Sequence, residues 1–471
     1  MARKLILLSL LLLAACVGAP STSLQPNSAI AITDVTVIDV AAATPEAARQ
    51  PGRTVIVEEG RIAAVLASGA DVPRGARKVD GRGRFLVPGL WDSHTHLTMF
   101  GEPSLPLLIS LGITSVRDMG GDPSITGAWK REIAAGSRIG PRLFHSGAII
   151  EGAWWLGPVT MALAGDPQLA AFPLLKVSPR LELASTSEAG AIVDKIRASG
   201  ADLIKFRNLR PPEFAAVVAE AKRVGLPLAG HSPRSMSPAD AAEAGMVSIE
   251  HMETVSLALG DKPDSDRTDA FRRIAAAGVF IAPGMTTAIG YRGTPYERVY
   301  ALVADTANRL DPRRRYLSPL ALQAWKWNTD IKRLEGKRTD EDALIRRQIS
   351  DLKLAYAAGV PFLIGTDITA PLIYPGFSVH EEMAYLVREG GVAPLDVLRA
   401  ATLNAARAMR DGASGRIAPG QRADLLLLGA DPLKDIAAST NIDAVIAAGR
   451  LFTRAQLEGL REQSARLAVA K

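Results

Sequence analysis

Histidine is scarce in this sequence, and four of its histidines follow apolar segments. Only six histidines occur in 471 residues. His94 and His96 form a His-x-His pair just after the apolar run that ends at Trp91. In an extended segment, residues i and i+2 point to the same side, so both imidazoles could bind one metal ion. A single His-x-His pair is weak evidence, and a metal site needs further ligands.

Four more polar residues end apolar segments in the same way. They are Lys205, His231, His251 and Asp367. Taken singly, each has an ordinary explanation: a histidine packed in a core, a salt-bridged lysine, or an aspartate that caps a turn. If the apolar segments are strands of one barrel, their carboxyl ends meet on one face. The combination then predicts a divalent metal site built from histidines, a carboxylate and an unusual lysine.

A repeated local pattern indicates which elements position these residues. Six times a helix-like segment ends in glycine and a short β-rich segment follows, at Gly112, Gly200, Gly225, Gly245, Gly278 and Gly359. Glycine accepts the left-handed conformation that closes a helix. The β-rich segments are continuously apolar, which is typical of parallel strands buried on both faces. With segments 85–91 and 142–144 they make eight strands, which predicts an α/β fold with a (β/α)8 TIM barrel. A doubly wound open sheet is the alternative, and the strand count favours the barrel.

The two ends of the chain show a different pattern. Segments 30–40 and 54–65 alternate like antiparallel strands, and so do segments 424–428 and 442–452. Each group alone is too small for a stable sheet. Together they predict one small β-sandwich with the barrel inserted between its halves. The predicted division is 29–84 and 412–455 for the sandwich, 85–411 for the barrel and 456–471 for a C-terminal helix.

The N-terminal residues read as a targeting segment. A basic start and a short apolar run predict a signal peptide over residues 1–15, too short to span a bilayer. Cys16, the only cysteine, follows Leu13-Ala14-Ala15 in a sequence that resembles a bacterial lipobox. That resemblance implies lipidation of Cys16, a tether over residues 16–28 and a lipoprotein held on the periplasmic side of the cell envelope. An ordinary secreted or periplasmic protein is the alternative.

The charge of the chain does not indicate a nucleic-acid partner. The formal net charge is +6, but the arginines are scattered and no nucleic-acid motif accompanies them. A single cysteine excludes an intramolecular disulfide. We expect a small-molecule substrate, contact with the membrane only through the lipid anchor, and we leave a homo-oligomer open.

The metal-site segments resemble the amidohydrolase superfamily, in particular its imidazolonepropionase-like and prolidase-like members. The resemblance rests on Pro88-Gly89-Leu90-Trp91-Asp92-Ser93-His94-Thr95-His96, on the 112–118 segment, on the 415–425 segment and on the positions of Lys205, His231, His251 and Asp367. It extends over about residues 29–452. It implies two divalent ions, of which zinc suits the ligands best. His94, His96 and Asp367 would hold one ion, His231 and His251 the other, and a carboxylated Lys205 would bridge them.

The same resemblance implies a reaction. A hydroxide bridging the two ions would attack the carbonyl of an amide or peptide bond, and Asp367 would act as general acid and base. The substrate would be a dipeptide or an N-acyl amino acid. A mononuclear deaminase or cyclic-amide hydrolase of the same superfamily is the alternative, but such enzymes carry His-x-x-Glu on strand five, and here Ser232, Pro233 and Arg234 follow His231. An alternative of another class is an inactive lipid-anchored binding protein, whose sign would be a broken metal set.

Several residues are candidates for substrate contacts; they are Arg117, His145, Trp154, Arg207, Tyr291 and His380. Arg117 and Arg207 could bind a substrate carboxylate or pair with Asp118 or another acid. Trp154 and its neighbour Trp155 could line an apolar pocket or pack structurally. Tyr291 lies in the long segment 261–337, which we predict as a lid.

Overall fold

The computed structural model describes residues 29–165, 173–334 and 341–469 of the chain. The predicted signal peptide, Cys16 and the tether lie outside the described residues, so these remain predictions. Within the described residues, no helix is long and apolar enough to cross a membrane.

Seventeen strands form in the described part of the chain. In chain order they are β1 (Ile30–Ile38), β2 (Arg49–Glu58), β3 (Arg61–Ala67), β4 (Arg77–Asp80), β5 (Phe85–Pro88), β6 (Leu90–Thr95), β7 (Ile113–Asp118), β8 (Arg142–His145), β9 (Ile149–Gly152), β10 (Arg180–Leu183), β11 (Ile204–Arg207), β12 (Leu228–Gly230), β13 (Ser248–Glu250), β14 (Phe280–Ala282), β15 (Leu425–Leu428), β16 (Ile442–Ala447) and β17 (Arg450–Thr453). They fall into a flanking sheet built from both ends of the chain and into the wall of a barrel.

Strands from both ends of the chain share the flanking sheet. Its order is β17-β16-β15-β5-β1-β2-β3, with β4 paired to β1. Alternate side chains point inward and make an apolar cluster of their own, in which Ile32 and Leu86 meet Leu427 and Ile446. Neither end of the chain could bury this cluster alone, which is why the sequence predicted that the two ends combine.

The first predicted barrel strand is two strands in the structure. The sequence predicted one strand over 85–91, but β5 pairs with β1 and β15 in the flanking sheet, and only β6 belongs to the barrel. Gly89 separates them at a point of close packing, since a Cβ there would lie 2.0 Å from Thr114 Oγ1. Apolarity alone could not reveal the change of sheet, because both strands are buried.

The barrel is a closed ring of parallel strands. β6, β7 and β8 pair in order, and β11, β12, β13 and β14 pair in order. β8 and β9 together occupy the third position of the ring, since β9 pairs with the end of β11, so the ring has eight strand positions with residues 361–367. Asp202 N–H donates to the His145 carbonyl (2.8 Å) and joins the two groups. Residues 361–367 close the ring, because Leu363 N–H donates to Ile281 O (2.9 Å) and Ser93 N–H donates to Ile364 O (2.7 Å). The predicted (β/α)8 barrel with a β-sandwich is confirmed.

Helices cover the outside of the barrel and its two ends. Their bounds are Pro45–Ala48, Leu97–Phe100, Ser104–Ser110, Pro123–Ala134, Ala153–Gly165, Leu174–Val177, Ala189–Ala198, Pro211–Val224, Pro238–Ala244, Met252–Leu259, Asp264–Ala276, Tyr296–Ala304, Pro319–Leu334, Glu341–Ala357, Phe377–Arg388, Pro394–Ala400, Leu403–Ala408 and Arg454–Val469. Short 3-10 turns occur at Thr186–Glu188, Pro312–Tyr316 and Ile436–Thr440, and a π-helix at Thr286–Arg292.

The predicted lid over residues 261–337 begins too early. Its first part is ordinary barrel: the helix Asp264–Ala276 followed by β14. The insertion proper follows β14 and contains the π-helix Thr286–Arg292 and the helix Pro319–Leu334. This boundary could not be predicted from the sequence, because an amphipathic barrel helix and an inserted helix have the same periodicity.

Candidate metal centre and substrate pocket

The six predicted ligand residues meet in one pocket. His94 and His96 come from the end of β6 and Lys205 from β11. His231 and His251 directly follow β12 and β13, and Asp367 follows the closing segment 361–364. All six line a pocket of about 710 Å³. The structure therefore brings together the side chains that the sequence predicted to converge; their role as ligands stays a prediction.

Asp367 lies at the centre of the histidines. Its Oδ1 is 3.2 Å from His96 Nε2 and 3.7 Å from His94 Nε2, and its Oδ2 is 3.7 Å from His251 Nε2. One ligand atom from each of His94, His96 and Asp367 lies within 4.8 Å of the others, so the three could hold one ion. His231 reaches the cluster beside His251, with ring centroids 5.0 Å apart.

Lys205 is a buried amine without a hydrogen-bond partner. Its side chain is 1% exposed, and its Nζ makes no hydrogen bond to any described residue. Burial lowers the pKa of Lys205 to about 7, and the Arg207 and Arg117 charges act in the same direction. Burying a polar atom without a hydrogen-bond partner costs free energy of folding. The burial of the Lys205 amine therefore indicates a chemical role in the site.

Three of the site histidines are held in the neutral form that can bind a metal ion. Burial lowers the pKa of His94 to about 3 and lowers the pKa values of His231 and His251 as well. A neutral imidazole is the form that binds a metal ion. Burial alone would raise the pKa of Asp367, but its hydrogen bond to His96 and the nearby His94 and His251 hold that pKa well below its usual range. This set of donors fits a divalent ion.

A buried carboxylate orients the first histidine. His94 Nδ1 donates to Glu250 Oε2 (2.8 Å), which leaves Nε2 directed at Asp367. Glu250 in turn accepts from Arg117 Nη2 (2.7 Å) and from the hydroxyl of Ser248. Such a partner for a ligating histidine fixes its tautomer and its orientation. Sequence reasoning missed Glu250, although an acid that ends the apolar run before His251 was a visible signal.

Arg117 does not reach the pocket. The sequence left two roles open for it, a substrate contact or pairing with an acid. The side chain is buried and donates to Glu250, Ser248 and the Ser93 carbonyl. The acid that Arg117 pairs with is Glu250 rather than Asp118, and a substrate contact of Arg117 stays a prediction.

A second buried acid joins the two segments that carry His94 and Asp367. Asp92 Oδ1 accepts from the backbone N–H groups of Thr366 (3.0 Å) and His94 (3.2 Å), and its Oδ2 accepts from Thr366 Oγ1 (2.6 Å). His251 and Asp367 have positive φ angles of 67° and 54°. Backbone strain of this kind persists only where surrounding contacts impose it, which is common at functional sites.

The model of the amidohydrolase family matches residues 85–452 of the chain. The chain belongs to the amidohydrolase family. It is a hydrolase of carbon–nitrogen bonds, and a histidine–aspartate cluster of the kind described above is compatible with the metal dependence of that family.

Three proteins illustrate what this amidohydrolase resembles. It is 23% identical to ochratoxinase from Aspergillus niger, over 86% of this chain and 84% of the relative. It is 26% identical to imidazolonepropionase from Mycolicibacterium smegmatis, over 80% of this chain and 84% of the relative. The crystal structure of a putative prolidase from Bifidobacterium longum superimposes with a TM-score of 0.67, at 21% identity, over 93% of this chain and 99% of that one. At that identity the structural likeness shows the fold.

The pocket of this amidohydrolase has a wall that carries two arginines. Arg207, a sequence candidate, lines the pocket and lies over the ring of Trp155, 5.2 Å from its centroid. Arg180 lines the same wall and was missed, since a lone arginine before a short polar strand carries no signal. Between them lies the buried carboxylate of Glu151, whose Oε2 is 3.4 Å from Arg180 Nε and 4.0 Å from Arg207 Nε.

The aromatic candidates divide between the pocket and its surroundings. Trp155 lines the pocket, whereas Trp154 donates its Nε1–H to the Asn208 carbonyl (2.7 Å) outside the lining. Adjacent residues in a helix point about 100° apart, and the sequence does not tell which of the two faces inward. A substrate contact of Trp154 stays a prediction. Tyr291, on the π-helix of the insertion, lines the pocket as predicted.

His145 and His380 do not contribute to the pocket that the described residues form. His145 is buried at the end of β8, and its backbone N–H donates to Asp202 Oδ2 (3.0 Å). His380 Nε2 donates to the Leu111 carbonyl (3.0 Å), and its Nδ1 is 2.9 Å from Ser439 Oγ. Both imidazoles lie outside the pocket lining, and a substrate contact for either histidine stays a prediction. His380 instead connects a barrel helix to two other segments.

Proposed function

We propose that this amidohydrolase uses two divalent metal ions, bridged by a carboxylated Lys205, to hydrolyse the amide bond of a dipeptide or an N-acyl amino acid. The observation that carries the proposal is the buried Lys205 Nζ, which lacks a hydrogen-bond partner among the described residues. It lies in the pocket formed by the four histidines and Asp367. A lysine cation buried there would be unfavourable. A carboxylated lysine would instead be an anion whose two oxygens could complete the ligand sets of two metal ions.

The residues present fit two ions. His94, His96 and Asp367 would hold one, His231 and His251 the other, and the carboxylated Lys205 would contribute an oxygen to each. With its pKa lowered to about 7, Lys205 is partly neutral near neutral pH. The neutral amine can attack carbon dioxide, forming an N–C bond and losing one proton to solvent. Imidazole and carboxylate ligands suit zinc best.

The protein side chains would divide the proton transfers of the reaction. Divalent ions held there would lower the pKa of water and draw electron density from the scissile carbonyl. Asp367, ionised because its pKa is held low, would accept a proton from the attacking water. It would return that proton to the leaving nitrogen as the C–N bond breaks. Glu250 would keep His94 in the correct tautomer throughout.

The mononuclear alternative lacks a residue that it needs. Its chemistry depends on a glutamate three residues after the strand-five histidine, and Arg234 occupies that position as an exposed side chain. A single ion on His94, His96 and Asp367 would also leave Lys205 unexplained. Both observations favour two ions.

The experiment is a hydrolysis assay on the metal-free and the zinc-loaded protein. We expect the loaded protein to release amino acid from N-acyl amino acids or dipeptides, and the chelated protein to be inactive until metal is restored. Lys205→Ala should be inactive, with partial recovery when a short carboxylate such as propionate is added. Ammonia released from a cyclic substrate, with no amino acid product from any amide, would contradict the proposal and support the mononuclear alternative.

We further propose that the enzyme acts at the periplasmic side of the bacterial envelope, anchored through Cys16. The support is the sequence Leu13-Ala14-Ala15-Cys16 and the position of the lone cysteine. The full-length protein expressed in a bacterium should partition into detergent, and Cys16→Ser should move to the aqueous phase. Aqueous partitioning of the unmodified protein would contradict anchoring.

A further inference from the structure

Positive charge exceeds negative charge on the wall of the pocket beside the metal centre. Arg180 and Arg207 both face the pocket, and Glu151 is the one carboxylate within 4.0 Å of either among the described residues. One oxygen of Glu151 accepts from Asn208 Nδ2 (2.7 Å). Two guanidinium groups therefore share part of a single buried carboxylate, which leaves an uncompensated positive charge at this wall.

Of the two arginines, Arg207 has the N–H donors that could bind a ligand. Its guanidinium donates no hydrogen bond to any residue in the described chain, and its Nε is buried. The group lies over the Trp155 ring, which fixes its plane without using its donors. Arginine carries five N–H donors in a planar fork that matches a carboxylate. A carboxylate in the pocket would supply acceptors for these donors.

Arg180 adds a second positive charge to the wall that carries Arg207. Its Nη1 donates to the carbonyl and the hydroxyl of Ser178 (both 2.6 Å), so its position is fixed. Burial and the neighbouring Arg207 lower the pKa of Arg180 to about 9, although Glu151 opposes them. An anion beside Arg207 would relieve the repulsion between the two guanidinium groups.

Among the described residues, each acid that lines the pocket already faces basic groups, which leaves a substrate ammonium group without a carboxylate of its own. Apart from Asp367 at the metal centre, the carboxylate that lines the described pocket is Glu253, which is 3.1 Å from Arg292. A free dipeptide would bring its α-ammonium group close to the metal ligands and to this positive wall. That arrangement is unfavourable unless a carboxylate compensates it.

Arg207 lies beside the candidate metal centre. Lys205 and Arg207 are residues i and i+2 of β11, so their side chains leave the strand on the same side, with Cα atoms about 7 Å apart. The wall that carries Arg207 is therefore next to the place where a scissile bond would lie. The other walls are apolar and are formed by Met99, Leu156, Leu174, Leu175 and Trp327.

We propose that Arg207, supported by Arg180, binds the free carboxylate of an N-acyl amino acid, and that a blocked amino group makes such compounds better substrates than free dipeptides. This inference rests on the proposed function and narrows it to one substrate class. Arg207 acts as a specificity residue, while the bond is broken at the metal centre.

The first test compares three probes on the zinc-loaded protein. They are N-acetyl-phenylalanine, its carboxamide and alanyl-phenylalanine. The reaction is measured as the release of acetate from the first two and of alanine from the third. A hydrogen-bonded charge pair adds roughly 1.5–3 kcal/mol, so kcat/KM for the acid should exceed that for the carboxamide by about 10- to 100-fold. The acid should also be cleaved better than the dipeptide. Equal rates for acid and carboxamide, or a preference for the dipeptide, would overturn the inference.

The second test removes the charge from Arg207. Arg207→Met should raise KM for N-acetyl-phenylalanine by about tenfold or more, with kcat changed much less, because it removes binding energy rather than chemistry. Hydrolysis of the carboxamide should fall much less than that of the acid, because the carboxamide makes no charge pair with Arg207, and Arg207→Lys should retain part of the preference for the acid. The matched control is Arg234→Met, because Arg234 is exposed and lies over Trp154, outside the pocket lining. An equal loss on acid and carboxamide would mean that Arg207 is structural.

A binding measurement separates this inference from the proposed function. If the loaded protein hydrolyses none of the three probes, the proposed function fails for them, and calorimetry then decides the rest. N-acetyl-phenylalanine should still bind at least about tenfold more tightly than its carboxamide. Equal affinities would overturn the carboxylate site as well.

Discussion

Glu250 accepts a hydrogen bond from His94 Nδ1 at 2.8 Å and holds this histidine in the candidate metal centre through a carboxylate that is itself fully buried. Burial alone would raise the pKa of Glu250, but Arg117 and His94 outweigh that effect and keep it ionised. The ion pair between Glu250 and Arg117 therefore supports the position of His94 in the candidate metal site.

Replacing Glu250 by Gln should weaken metal binding. Glutamine is neutral and no longer fixes the His94 tautomer, so we expect zinc affinity to fall by about 10- to 100-fold. Competition with a chromophoric chelator measures this directly. The control is Glu243→Gln, which alters an exposed glutamate paired with Arg273. Unchanged zinc affinity in a folded Glu250→Gln protein would show that the contact does not support the site.

Replacing Arg117 by Met should act on stability. The change would leave Glu250 as a buried charge without its main partner, which typically costs about 3–5 kcal/mol of the free energy of unfolding. Denaturant unfolding of the metal-free protein measures the loss. The rival interpretation, in which Arg117 binds substrate, predicts instead a raised KM at normal stability.

Replacing His380 by Ala should lower stability and leave catalysis intact. The change removes the hydrogen bond to the Leu111 carbonyl and the contact with Ser439, and an unsatisfied buried carbonyl costs about 1–3 kcal/mol. We expect a lower midpoint of thermal unfolding with kcat and KM unchanged. A raised KM at unchanged stability would restore His380 as a substrate contact.

Replacing Asp367 by Asn should remove turnover while metal stays bound. Asparagine keeps an oxygen donor but cannot carry the proton, and loss of a general acid–base group costs about 10²- to 10⁴-fold in rate. The measurement pairs kcat with metal content on one sample. Near-normal turnover would refute the proton-transfer role, whereas loss of metal would show that Asp367 acts mainly as a ligand.

The sequence predicted the barrel and the convergence of the six metal-site residues because both depend on local order. Each residue follows its own apolar strand, and parallel strands of a closed barrel bring their carboxyl ends together. The same logic could not reveal that Glu250 pairs with His94 or that Asp92 pairs with Thr366, because these partners are 156 and 274 residues apart in the chain.

Substrate contacts were harder to predict for a related reason. Arg117 and Arg207 both belong to strands next to the site, yet one points into the protein and the other into the pocket. Trp154 and Trp155 differ in the same manner. The direction of a side chain at the end of a strand or the start of a helix depends on tertiary contacts, which spacing along the chain does not contain.

The most direct test of the central claim is to count metal ions in the purified protein and in Lys205→Ala under identical conditions. The proposal predicts two ions per chain in the unaltered protein, together with label from ¹³C-bicarbonate retained on Lys205. It predicts a marked loss of bound metal in Lys205→Ala and no label. Full metal content in Lys205→Ala would contradict the bridging role of Lys205.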